Sequence, residues 1–142
     1  MDWGRPDQPR RYSLCEEFIQ MVDDLSPSLN DLIDKLIAFR DARDWRQFHS
    51  LKNLIVSLNL EASEVLELTQ WKSEAEFEAD GLTPETRARL AEECADVLLY
   101  LLLICERIDV DLSAAAAAKI GTNETKYPVN KARGNAKKYT EL

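Results

Sequence analysis

The sequence predicts an all-α fold, a bundle of four long helices. Three observations carry this. Only 4 of 142 residues are glycine and 5 proline, and 31% are charged, a composition that favours helices over loops. Apolar residues recur at steps of three and four through most of the chain. No stretch alternates with the period of two that a half-buried strand requires.

The elements follow in order. Residues 1–25 read as an N-terminal arm carrying a short helix over 13–24, where Leu14, Phe18 and Met21 step by four and three. The helical domain spans 26–128. Its first helix runs from Leu29 to about Arg43, with Leu32, Ile33, Leu36, Ile37 and Phe39 on a broad apolar face. The segment "DWRQFH" then breaks the period. A second helix extends from Leu51 to about Lys72, and "KSEAEFEADGL" is a polar connection. Thr83 as N-cap and Pro84 at the first helical position open a third helix that continues to about Arg107. Its second half is apolar on most sides, which makes it the central element. Ser113 caps a fourth helix that Pro128 terminates, and the run Ala114–Ala118 removes bulk so that another helix can approach closely. Residues 129–142 form a basic tail without helical periodicity.

A formal net charge of −8 leaves no basic face for a polymeric nucleic acid. Small anions are not excluded, because divalent cations can sit between carboxylates and phosphates. The longest apolar run, "VLLYLLLIC", is far short of the roughly 20 residues of a membrane span. The N-terminus lacks the apolar core of a signal peptide, and Cys15, Cys94 and Cys105 form no C-x-x-C pair. The expectation is a cytoplasmic protein with reduced thiols and no membrane partner.

Positions three apart are neighbours on a helix, so Glu61 and Glu64 share one face of the second helix. Glu93 and Asp96 repeat the device on the third. A single E-x-x-E is common on a solvated helix surface. Two such pairs, the second abutting an apolar run, point instead to four carboxylates brought together, which repel one another without a cation. Neither pair has Lys or Arg on its face, whereas Mg²⁺ takes oxygen ligands and keeps positions open for water and phosphate. A di-iron bundle would need Glu-x-x-His on two helices, and the one histidine, His49, lies outside both pairs.

E-x-x-E followed by E-x-x-D on the next helix resembles the MazG-like nucleotide pyrophosphohydrolases. The segments "RDWRQFH", "SEVLELTQWKS", "EECADVLLYLL", "KIGTNETKYPV" and "ARGNAKKYTEL" look like the successive signatures of the dCTP pyrophosphatase branch, over roughly residues 29–142. The resemblance implies that Glu61, Glu64, Glu93 and Asp96 hold Mg²⁺, with Mn²⁺ as a substitute. One of the four takes a proton from the attacking water, and the sequence does not single it out. The reaction implied is attack of water at the α-phosphorus of a deoxynucleoside triphosphate, dCTP or a 5-modified dCTP first, giving the monophosphate and pyrophosphate. Its role would be cleaning of the nucleotide pool.

The same resemblance sets Trp45, Trp71 and Tyr100 at the base, with His49 beside them, and Lys119, Asn123 and Lys126 near the phosphates. Without it, Trp and Tyr read as core and the lysine stripe as a solvated face. Ile37 aligns where many members carry a base-contacting histidine. Trp71 and Tyr100 fall at opposite ends of antiparallel helices, so the expectation is a base pocket built from two subunits of a homotetramer, or at least a homodimer. The alternative function is a non-catalytic helical module that binds nucleotide or a partner helix.

Overall fold

The computed structural model describes residues 27–80 and 82–142, and the helix expected over 13–24 lies outside them. Among the described residues there is no strand. Packing is described for the body Ile33–Leu142. Helix α1, Leu29–Asp41, opens with a reciprocal cap: the Ser28 hydroxyl and amide donate to the Asp31 carboxylate at 2.7 and 2.9 Å, and the Asp31 amide donates to Ser28 Oγ at 3.2 Å. It ends two residues short of the sequence expectation, and Asp44 takes a left-handed φ of 53° into a 3₁₀ turn, Trp45–Phe48. The Phe39 ring meets Trp45 edge-on at 5.8 Å, and the Arg43 guanidinium covers Phe39 at 3.6 Å. "DWRQFH" is therefore a braced turn against the end of α1.

Ser50 caps α2, Leu51–Glu67, accepting from the Asn53 amide at 3.2 Å. The helix stops five residues before the expected Lys72. No glycine supplies the left-handed residue that commonly follows a helix end. The chain leaves the C-cap Leu68 through a run of turns, and Trp71, three residues on, takes φ 64°, while the Thr69 hydroxyl donates to the Leu66 carbonyl and the Lys72 ammonium to that of Leu68, at 2.7 and 3.1 Å. The following segment, expected as plain connection, carries a turn of π-helix, Glu76–Asp80. A second Ser-x-x-acid box nucleates it: the Ser73 amide and hydroxyl donate to Glu76, whose amide donates back.

Thr83 caps α3, Pro84–Arg107, through the Thr86 amide, with Pro84 at the first helical position as expected. Helices α2 and α3 are the main packed pair of the body. Late α2 lies beside early α3, since Glu67 and Leu68 share a crevice with Thr86 and Arg89, so the two are antiparallel. Leu54 and Leu68 of this seam are buried with Leu102, Leu103 and Cys105. Burial of each such leucine contributes about 1.5–3 kcal/mol.

Helix α4, Leu112–Lys126, is capped by Asp111, whose carboxylate accepts from the Ala114 amide at 2.9 Å. This corrects the expectation of Ser113: an aspartate two residues earlier reaches the free amide first. Ala114–Ala118, expected to receive a neighbouring helix, are exposed. The tail, expected to be irregular, contains a helical turn α5, Val129–Ala132, and a 3₁₀ turn, Tyr139–Glu141. Gly134 reverses the chain with φ 76°, and Tyr139 returns edge-on to Tyr127 at 6.0 Å. One aromatic contact thus organises a segment too short for periodicity to reveal.

Candidate active site

The α2–α3 seam brings the acids of two helices together. One carboxylate oxygen from each of Glu61, Glu64 and Glu93 lies within 4.8 Å of the others, with Glu61 and Glu93 half-buried and Glu64 exposed. Burial pushes the Glu61 carboxyl above its ordinary pKa, and the charges of Glu64, Asp96 and Glu93 push it further. Glu93 is raised likewise by burial, then by Glu64, Glu92 and Asp96, with Arg89 opposing them. Among the described residues none of these acids has an ion-pair partner. Converging oxygen donors that destabilise one another's charge fit a hard divalent cation, which prefers carboxylate ligands.

Asp96, the fourth expected ligand, lies outside that triplet of oxygens. It stands one turn along α3 from Glu93, near enough to raise both Glu61 and Glu93, and it also lines a neighbouring cleft of about 150 Å³. Pockets for drug-sized ligands run to roughly 300–1,000 Å³. This one has room for a ring, not for a whole nucleotide. Helix α1 gives it Leu36, Phe39 and Arg40, the 3₁₀ turn and its exit give Trp45 and His49, and α3 gives Leu99, Tyr100 and Leu103 beside Asp96. Trp45, His49 and Tyr100 thus come together in one chain, contiguous with the acids through Asp96.

His49 lines the cleft, and its Nδ1 is buried without a hydrogen-bond partner among the described residues. Burial, with the nearby Arg40 charge, holds this imidazole below its ordinary pKa. Arg40 is itself 4% exposed. Its Nε donates to Asp41 Oδ1 at 2.7 Å and its Nη1 to Glu106 Oε2 at 3.1 Å, joining α1 to α3. The hydrogen bond to Asp41 raises the guanidinium above its already high pKa and lowers Asp41 below the usual carboxylate range.

The remaining predicted residues stand elsewhere. Trp71 is 93% exposed and outside the cleft, at the end of the seam where α3 begins. Lys119 and Asn123 are exposed on α4. Lys126 is half-buried, its ammonium 5.1 Å from the centre of the Tyr139 ring. Ile37, set by alignment against a base-contacting histidine, is half-buried and off the cleft, where Leu36 stands instead. Arg40 was not singled out from sequence, although a signal exists. It continues the i+4 row of Leu32 and Leu36, so a charged residue occupies a position where that face is otherwise apolar.

The chain resembles known proteins in sequence and in fold. The MazG-like family model matches residues 56–142. The rat protein dCTP pyrophosphatase 1 is 45% identical over 82% of this chain and 68% of its own length, and its human counterpart is 42% identical over 94% and 74%. A crystal structure of a pyrophosphatase from Archaeoglobus fulgidus superposes with a TM-score of 0.67 at 38% identity, covering 72% of this chain and 94% of that one. With its helical seam, its opposed acids and these relatives, the chain belongs to the MazG-like family.

Proposed function

We propose that the protein is a nucleoside triphosphate pyrophosphohydrolase that requires Mg²⁺, or Mn²⁺ in its place. It would cleave dCTP or a 5-modified dCTP to the monophosphate and pyrophosphate, and so clean the nucleotide pool. The observation that carries this is the position of Asp96, which lines an aromatic cleft sized for a base and stands one turn along α3 from Glu93 of the converging carboxylates. Glu61, Glu64, Glu93 and Asp96 would hold the metal. When bound, it would supply neutralisation of phosphate charge and a lowered pKa for coordinated water.

The chain's own side chains do the rest. Trp45 and Tyr100 offer ring faces to the base and His49 a polar nitrogen, which fixes the nucleotide so that its phosphates extend along α3 toward Glu93. Lys119, Asn123 and Lys126 would contact phosphates from α4, and Trp71 the base, both delivered by a neighbouring subunit of a homotetramer. Exposed apolar side chains support such assembly: Leu66, Ile120 and Val129 are 67%, 61% and 76% accessible. The cellular setting proposed is the cytoplasm. No helix of the described residues is long and apolar enough to cross a membrane.

The test is incubation with each dNTP and Mg²⁺, scored for pyrophosphate against single phosphates, before and after chelation. Pyrophosphate release that chelation abolishes and Mg²⁺ restores is the expected result. Release of single phosphates, or turnover indifferent to chelation, contradicts the reading.

A further inference from the structure

Arg40 is the one buried charged residue among those described, and it lines the cleft of Trp45, His49 and Tyr100. A guanidinium carries five N–H donors in a planar fork. Asp41 takes Nε and Glu106 takes one hydrogen of Nη1, and no partner for Nη2 is found among the described residues. The two acids hold the side chain at Nε and Nη1 and leave the Nη2 hydrogens and one hydrogen of Nη1 uncommitted.

His49 supplies the opposite polarity. Its Nδ1 is buried and unpartnered, and burial with the Arg40 charge favours the neutral ring, which presents a lone pair on one nitrogen. A buried polar atom left unsatisfied costs free energy that a ligand's complementary group can recover. Arg40 and His49, with unspent hydrogen-bonding capacity, thus line one cleft together with Phe39, Trp45 and Tyr100.

We infer that Arg40 is a base-reading residue: its free guanidinium edge donates to the N3 and O2 acceptors of a cytosine in this cleft, while His49 Nδ1 accepts from the exocyclic amino group. Cytosine shows donor, acceptor, acceptor along that edge, and the cleft supplies acceptor, donor, donor. Uracil and thymine place N3–H against the guanidinium and a carbonyl against the histidine lone pair. Two of three contacts are then wrong, and a site built around hydrogen bonds discriminates strongly when they are lost. Glu106 and Asp41 are positioning residues for the fork. The inference rests on the proposed reading of the cleft as the base site, and it adds what selects the base.

The experiment compares dCTP with dUTP in wild type, R40M and R40K. Met keeps the apolar stem, and Lys keeps the charge without the fork. The expected result is a rise in KM for dCTP and at least a tenfold loss of the dCTP:dUTP ratio in kcat/KM for R40M, only partly restored in R40K. An unchanged ratio, or equal losses for both nucleotides, overturns the inference. If melting curves show R40M unfolded, E106Q serves instead, where a loosened fork lowers the ratio and an unaltered ratio counts against the inference. Calorimetric binding of dCMP and dUMP needs no turnover. Wild type that prefers dCMP but releases no pyrophosphate overturns the hydrolase reading and leaves the base reading standing; equal binding of the two overturns the base reading.

Discussion

The α2–α3 seam and helix α4 each carry candidate site residues, yet only the seam brings its own together. Along the seam, carboxylates from two helices converge within 4.8 Å and adjoin a walled cleft. Along α4, Lys119 and Asn123 face outward and the alanine run beside them is exposed. Converging like charges lack only an ion, which solvent supplies. Dispersed cations on an uncovered helix lack a facing surface, which solvent does not supply. On the proposed reading the seam is a site in itself, whereas α4 would need a second subunit to face it.

The sharpest way to break that contrast is Glu64→Gln, which removes charge and a proposed ligand oxygen from the seam while keeping the side-chain volume. Loss of even an outer-sphere partner of a metal site costs about 10–100-fold, so pyrophosphate release is expected to fall by at least about 100-fold. Unchanged turnover would refute the assignment of these acids to a metal.

Trp71 tests the other side. Its left-handed backbone suits glycine, and a non-glycine residue held there stores on the order of 1 kcal/mol or more. If it only closed α2, Trp71→Gly would stabilise the chain and leave KM alone. As a base platform offered to a second subunit it should instead raise KM, since stacking of a base on an aromatic side chain is worth about 1–3 kcal/mol. An increase of roughly tenfold in KM with a higher Tm is the expected pair of readings. Smaller still is Lys119→Ala. A solvated lysine would change nothing, whereas one near phosphate should raise KM a few-fold and flatten its dependence on salt.

Much of the seam was legible because helical spacing is a local property. Glu61 with Glu64, Glu93 with Asp96, and the Thr83–Pro84 start of α3 all follow from period and capping. What stayed hidden depends on contacts between elements. Arg40 looked like one more charge at the end of an amphipathic helix, and only Glu106, 66 residues away, shows why it is buried. The end of the segment after α2 was hidden for a different reason: the chain turns from Leu68 onward without a glycine, and Trp71 takes a left-handed conformation that its residue type disfavours. Ser73–Glu76, by contrast, carried a readable capping box inside a segment expected to be plain connection.

The smallest effect concerns the acids before any metal arrives. Glu61 and Glu93 have carboxyls raised in the folded chain above their unfolded values. Between those two values the folded state holds more protons than the unfolded one, so stability falls as pH rises through the window. As pH rises through that window the carboxyl ionises and its neighbours repel the charge. Glu61→Gln removes that repulsion and should raise the Tm of chelated protein at pH 7 while leaving it nearly unchanged below the ordinary carboxylate range. Solvent screening keeps the gain to no more than about 1 kcal/mol, or roughly 2–4 °C for a chain of this size. Asp41 and Glu76, whose pKa values are lowered, act in the opposite direction at low pH. The difference between wild type and variant, followed by thermal melting across pH, isolates the Glu61 contribution because both chains share that background. Adding Mg²⁺ at pH 7 should then invert the order, stabilising wild type more than Glu61→Gln, since an ion that binds only the folded state shifts its stability by mass action. A variant that melts below wild type in chelator would show that these carboxylates do not repel one another, and one that gains as much from Mg²⁺ would show that they do not share a cation.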